Sequence, residues 1–193
     1  MTLPPLILAS ASPRRSELLR ELGVEFQVIP GHAPEIHHEQ MTAGELCQIN
    51  AYRKARGIAK QFPDALVLGA DTLVYLGTTL FGKPAHLPDA RVMLAQLQGR
   101  THQVVTGVCL FHLRGHHCRI FAENTAVTFH PLSAAQIEDY LQRMNPLDKA
   151  GAYAIQEHGG RIVANISGSF SNVVGLPLER LRAELAGWVA AGR

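Results

Sequence analysis

Leu6-Ile7-Leu8-Ala9-Ser10-Ala11-Ser12-Pro13-Arg14-Arg15 joins a short apolar run to a helical pattern that continues from Ser16 to Leu22. The apolar run predicts a strand, and the residues after it predict a helix. Ser12 suits the N-cap of that helix, and Pro13 suits its first turn, where a missing N–H costs nothing. The backbone N–H groups of the helix start then stand beside two serine hydroxyls and two arginines. A helix N-terminus with such donors is a setting for a phosphate.

The alternation of strand and helix continues along the chain. Glu25–Ile29 reads as a strand, with the first helix stopping near Gly23. Residues 31–41 read as a loop. Thr42-Ala43-Gly44-Glu45 matches a capping box and opens a long helix to about Gln61. Ala65–Ala70 reads as a buried strand that ends in Asp71-Thr72, and Leu73–Leu76 with Thr79–Phe81 reads as a small hairpin. Asp89–Leu97 is a helix, and His102–Leu113 with His117–Phe129 form two long β segments hinged at Gly115. Ser133-Ala134-Ala135-Gln136 is a second capping box, opening a helix to about Met144. Arg161–Ile166 is a strand, 168–175 a loop, and Pro177–Leu185 the start of a last helix. This order predicts an α/β fold with a mixed central β-sheet flanked by helices.

Composition excludes several classes. The chain has 193 residues, the size of one domain, here assigned to 1–193 and split into two lobes. Its 18 Lys and Arg against 16 Asp and Glu give a net charge of +2, too weak for a nucleic-acid track. No apolar run reaches the length of a membrane span, and no secretory leader opens the sequence, so a cytoplasmic location is expected. The three cysteines, Cys47, Cys109 and Cys118, lack zinc or redox spacing, and their odd number speaks against a disulfide framework. They read as reduced structural thiols. His112, His116, His117 and Cys118 crowd one turn, but Gly115 splays them, which argues against a zinc site.

Five polar clusters and one helix lysine could carry chemistry, and each has a plainer reading. Ser10, Ser12, Arg14 and Arg15 form either an anion site or a capped helix with solvated arginines. Asp71-Thr72 places an acid that could hold a divalent metal or take a proton from water, or serves as a turn aspartate. Gly82-Lys83-Pro84 presents a lysine to a phosphate or is a surface turn. In Asp148-Lys149-Ala150-Gly151-Ala152-Tyr153-Ala154-Ile155-Gln156, Tyr153 could stack on a base and Gln156 bond its edge, or Tyr153 could lie in the core. Gly168 to Pro177 is a donor-rich loop or a helix entry. Lys54 reads by itself as a solvated helix lysine.

Taken in order, Ser10-Ala11-Ser12-Pro13-Arg14-Arg15, Lys54-Ala55, Gly69-Ala70-Asp71-Thr72, Gly82-Lys83-Pro84, Asp148-Lys149-Ala150-Gly151-Ala152-Tyr153 and Gly175-Leu176-Pro177 resemble the Maf family from residue 6 to about 185. The resemblance implies an elongated, two-lobed Maf/inosine-triphosphatase-like domain with a cleft. It implies a cytoplasmic, homodimeric enzyme that cleaves a nucleoside triphosphate between its α and β phosphates. Asp71 matches the proton acceptor, and Ser10, Arg14, Arg15, Lys54, Lys83 and Lys149 match the phosphate-binding residues. A divalent metal, Mg²⁺ or Mn²⁺, is implied, with Asp71 and Glu35 as its protein ligands. Arg14, Thr72 and Gln156 match the selectivity positions of the branch acting on dTTP and UTP. The alternative branch acts on 7-methyl-GTP, and the family is also associated with inhibition of septum formation, a nucleotide-binding role without turnover. Two departures stand out. Pro34-Glu35 replaces a pair of acids, and Arg53 replaces the acid that usually precedes Lys54.

Overall fold

A computed structural model describes residues 3–31, 33–36, 38, 40–156 and 158–191. The expected α/β class with a mixed sheet is what forms. In chain order the elements are β1 (Leu6–Leu8), α1 (Pro13–Arg20), β2 (Phe26–Val28), α2 (Ala43–Ala59), β3 (Leu66–Leu76), β4 (Thr79–Phe81), α3 (Leu87–Leu97), β5 (Thr101–His112), β6 (His117–Phe129), α4 (Ala134–Gln142), β7 (Val163–Ser167), α5 (Phe170–Val174) and α6 (Leu178–Ala191). The sheet order is β2-β1-β3-β5-β6-β7, with β4 on β3. Strands β1–β2 and β1–β3 run parallel, with Leu6 opposite Phe26 and Leu66. The pairs β3–β4 and β6–β7 are antiparallel.

The chain divides into two compact units, Met1–Asp71 with Thr106–Glu123 and Gly175–Arg193, and Thr72–Val105 with Asn124–Val174. In the first unit, helix α2 closes its N-terminus with the capping box seen in the sequence. Thr42 Oγ1 accepts from Glu45 N at 3.3 Å, and the Glu45 carboxylate accepts from Thr42 N at 2.8 Å. Ala51, Ala55, Ile58 and Ala59 of α2 pack with Ile7, Val67 and Cys109 of the sheet and with Ala9 just past β1. Two strand glycines set how close α2 comes. A Cβ on Gly69 would overlap the Ala51 carbonyl oxygen, and one on Gly107 would overlap the Cys47 carbonyl group. These atoms are helix backbone, which cannot step aside as a side chain does. Gly69→Ala is therefore expected to destabilise the protein by about 2–3 kcal/mol, read as a lowered urea midpoint.

The second unit has its own core. Phe81, Leu94, Leu97, Phe129, Tyr140 and Tyr153 are among its buried members. The second capping box also forms, with Ser133 Oγ accepting from Gln136 N and Gln136 Oε1 accepting from Ser133 N. Tyr140 Oη donates to the Ala154 carbonyl at 3.2 Å and accepts from its N–H at 3.1 Å, fixing the segment that leads to Gln156.

Several sequence expectations change. The runs read as Ala65–Ala70 and Leu73–Leu76 merge into one eleven-residue strand, Leu66–Leu76, so Asp71 and Thr72 lie inside β3 and not past its tip. Asp71 is tolerated there because α2 supplies partners for its carboxylate. Helix α3 starts at Leu87, two residues early, because the His86 imidazole accepts from Asp89 N and acts as its cap. The loop after Gly168 contains the short helix α5, and α6 runs on to Ala191. Ser12 occupies the N-cap of α1 but makes no side-chain cap bond. Its N–H instead donates to Ser10 Oγ at 3.2 Å.

Candidate active site

Asp71 is 4% exposed, and its environment in the first unit is built by two periodicities. Gly69 and Asp71, two apart on β3, share one face of the strand. Asn50 and Lys54, four apart on α2, share one face of the helix. With Gly69 letting α2 close on the strand, the short Asp71 side chain reaches both. Lys54 Nζ lies 2.7 Å from Asp71 Oδ1, and Asn50 Nδ2 donates to Asp71 Oδ2 at 3.2 Å. Lys54 Nζ also lies 2.8 Å from Glu35 Oε1, so one ammonium bridges both acids that the resemblance singled out. The solvated-lysine reading of Lys54 fails, since its side chain is 14% exposed and bonded at its tip.

Burial pushes the Asp71 carboxyl above the ordinary carboxylate value. The charge and hydrogen bond of Lys54 pull it back only in part, Glu35 adds to the rise, and Arg15 opposes it. The ionised carboxylate is thus held at a cost, in the state of a group ready to take up a proton.

At the head of α1, Ser10 Oγ accepts from Ser12 N and from an Arg15 terminal nitrogen, both at 3.2 Å. Arg15 Nε donates to the Gly175 carbonyl at 2.9 Å. Burial draws Arg15 below the usual guanidinium value, with the Asp71 charge opposing. Gly175 has φ 125, a region that favours glycine, which explains its place at the head of the Gly175-Leu176-Pro177 motif. Arg14 sits half-buried in the first turn of α1.

Asn50 was not singled out in the sequence. It is 2% exposed, and besides Asp71 it binds both backbone groups of Ile36. Its Oδ1 accepts from Ile36 N at 2.8 Å and its Nδ2 donates to Ile36 O at 3.3 Å. One amide thus ties Asp71 to the loop that carries Glu35. The available signal was an amide one turn before Lys54, between buried Cys47 and Ala51, where helix periodicity calls for an apolar residue. Asn50→Ala is expected to lower stability by about 1–3 kcal/mol, because it strands the Ile36 backbone groups. A urea melt checks it.

The remaining candidates belong to the second unit. Gly151 N donates to the Gly82 carbonyl at 3.1 Å, which ties the Lys83 loop to the Lys149 loop. Lys83 is exposed. Lys149 is 5% exposed, and its Nζ donates to Asn145 O and to Asp148 Oδ1, both at 2.8 Å. The lysine expected to face phosphate is buried here and braces its own loop. Thr72 is half-buried in β3, and Gln156 is exposed in a turn. The base-stacking reading of Tyr153 is corrected. Its ring is packed edge-on against Phe129 and His102, and its hydroxyl is 2.9 Å from His102 Nε2. Burial lowers His102 to about 4, so this imidazole is neutral, and burial raises the Tyr153 phenol.

A buried strand carboxylate held by a helix lysine thus lies in the same unit of this α/β fold as a first helix that opens on Pro13, Arg14 and Arg15. The chain belongs to the Maf-like protein family, whose model matches residues 5–188. It is similar to a protein of Symbiobacterium thermophilum named dTTP/UTP pyrophosphatase, 48% identical over 178 residues, covering 91% of this chain and 89% of the relative. Proteins of the same name from Myxococcus xanthus and Geobacillus sp. are 48% and 42% identical, covering 90% and 95% of this chain and 87% and 98% of the relatives.

Proposed function

We propose that this protein is a nucleoside triphosphate pyrophosphatase acting on dTTP and UTP. The observation that carries the reading is the Asp71–Lys54–Glu35 bridge, a buried carboxylate with a raised pKa beside a cation. Relatives of the stated name, similar over nine-tenths of the chain, support the substrate.

Water attacks the α phosphorus, the α–β anhydride bond breaks, and pyrophosphate leaves with the bridging oxygen. Asp71 accepts the proton of that water. Lys54 favours the ionised form of Asp71 against the effect of burial, and Asn50 fixes the direction of its carboxylate. Arg14, Arg15 and Ser10, with the N–H groups of the first turn of α1, hold phosphate oxygens and balance the charge that grows on them. Lys83 and Lys149 are assigned further phosphate contacts, and Arg14, Thr72 and Gln156 the choice of base, on the strength of the resemblance.

A divalent cation, Mg²⁺ or Mn²⁺, fits Glu35 and Asp71, since these two carboxylates already share one cationic partner and oxygen ligands of this type suit such ions. Bound there, it would supply charge neutralisation of the phosphates. The homodimer and a cytoplasmic location complete the proposal. Among the described residues no helix is long and apolar enough to cross a membrane.

The test is pyrophosphate release from dTTP, UTP and 7-methyl-GTP at one concentration with Mg²⁺ present. Turnover of the first two at least ~10-fold above the third is expected, a margin of about 1.4 kcal/mol in transition-state binding. The reverse order would overturn the substrate assignment. Tight binding of dTTP without pyrophosphate release would mark a regulator in place of an enzyme.

A further inference from the structure

Cys109 and Cys118 lie on β5 and β6, which are neighbours in the sheet, and both fall in the first unit. Their sulfurs are 3.8 Å apart. The two thiols differ in access. Cys109 is fully buried in the cluster of Ile7, Ala51, Ala55 and Val67, whereas Cys118 is exposed. We propose that this pair is an oxidation site at which a peroxide attacks Cys118 and Cys109 closes an intrachain disulfide.

The distance supports the bridge. The sulfurs need to approach from 3.8 Å to the covalent length of about 2 Å, a movement within reach of the two side-chain torsions on neighbouring strands. The division of labour follows from the same contact. A hydrogen bond from Cys109 lowers the Cys118 thiol, and that bond together with burial raises Cys109. Cys118, exposed and the more acidic of the two, is thus the thiol that meets oxidant from solvent. Its sulfur attacks one peroxide oxygen, the O–O bond breaks, and the departing hydroxide takes a proton to leave as water. Cys118 is then a sulfenic acid. The Cys109 sulfur displaces hydroxide from it, the S–O bond breaks, and the Cys109 proton leaves with the hydroxide as a second water. Two thiols are oxidised to one disulfide and one peroxide is reduced to two waters. Proximity offsets the low thiolate fraction of Cys109, because the resolving step is intramolecular. Cys47, the third cysteine, is buried on α2 and stays reduced.

The inference is independent of the pyrophosphatase reading and is tested by mass. The full-length protein is treated with a few equivalents of hydrogen peroxide, unfolded, and alkylated. The expected product has lost about 2 Da before alkylation and takes up label at one thiol instead of three. Arg114 stands between the two cysteines, so trypsin should yield segments 101–114 and 115–119 joined by a bond that dithiothreitol breaks. Cys118→Ser, at an exposed position, should keep its thermal midpoint and label at two thiols with no loss of mass. Three labelled thiols in the treated parent, added oxygen on Cys118 without the bridge, or a mass loss that persists in Cys118→Ser would each overturn the proposal.

Discussion

Asp71→Asn is expected to lower pyrophosphate release from dTTP by ~10²-fold or more while the protein remains folded. The substitution keeps the shape of the side chain and removes its charge and its capacity to accept a proton. It leaves Lys54 with Glu35, 2.8 Å away, so no buried cation is left without a counter-charge. The fold should persist with a modestly lowered thermal midpoint, because the new amide nitrogen faces the donating Asn50 Nδ2 where a carboxylate oxygen accepted. Burial raises the Asp71 pKa, so the ionised carboxylate in the native state costs free energy that a neutral amide does not. The sign follows from linkage. An acid whose folded pKa exceeds its unfolded value binds more protons folded than unfolded, so its contribution falls as pH rises through the folded value. Asp71→Asn removes that decline. The measurement is kcat and kcat/KM for dTTP over a pH series, paired with the thermal midpoint at neutral pH. In the parent, the acid limb of kcat/KM should lie above the ordinary aspartate value. In Asp71→Asn the limb should vanish with the activity. A folded variant with near-parental turnover would remove Asp71 from the mechanism.

The legible part of this protein was the part written in local signals. Both capping boxes, at Thr42 and Ser133, form as their spacing predicts, because a cap is made within four residues. The apolar run at Leu6–Leu8 is a strand, and Gly23, at φ 69, ends the first helix as expected. The errors occur where a distant element overrides a local cue. Asp71-Thr72 resembled a strand end because two polar residues follow an apolar run. The strand continues because α2 supplies Asn50 and Lys54 as partners for the acid, and these lie 21 and 17 residues earlier. The same distance hid Asn50, whose three bonds all go to residues outside its own helix. Tyr153 was ambiguous because an aromatic beside small residues suits both a base and a core. His102, 51 residues earlier, decides it by supplying the hydroxyl's partner. Lys54 read locally as a solvated helix lysine and took a site role only from the family pattern, since a lysine inside a helix carries no local mark of the carboxylate it meets.

Lys54→Met tests the electrostatic half of the site. Methionine keeps the length and the apolar stem of lysine and deletes the ammonium that lies 2.7 Å from Asp71 and 2.8 Å from Glu35. Lys54 provides the main charge and hydrogen bond opposing the desolvation of Asp71, so without it the carboxyl pKa rises further. A larger share of Asp71 is then protonated at a given pH and unable to accept a proton. Turnover of dTTP should fall by ~10²-fold at pH 7. The pH profile separates this role from simple phosphate binding. If Lys54 acts through Asp71, the acid limb of kcat/KM moves to higher pH and part of the activity returns under alkaline conditions, where Asp71 ionises again. If Lys54 serves only to hold phosphate, KM rises and the limb stays where the parent has it. Stability should show the same titration. Relative to the parent, Lys54→Met should be least affected at low pH, where Asp71 is protonated. It should lose stability as pH rises through the raised Asp71 value, because ionising an unpaired buried carboxylate favours the unfolded chain. Urea midpoints from acid to alkaline pH, run beside the rate profile, place both effects on one group. A limb that moves without the matching stability loss would detach Lys54 from Asp71.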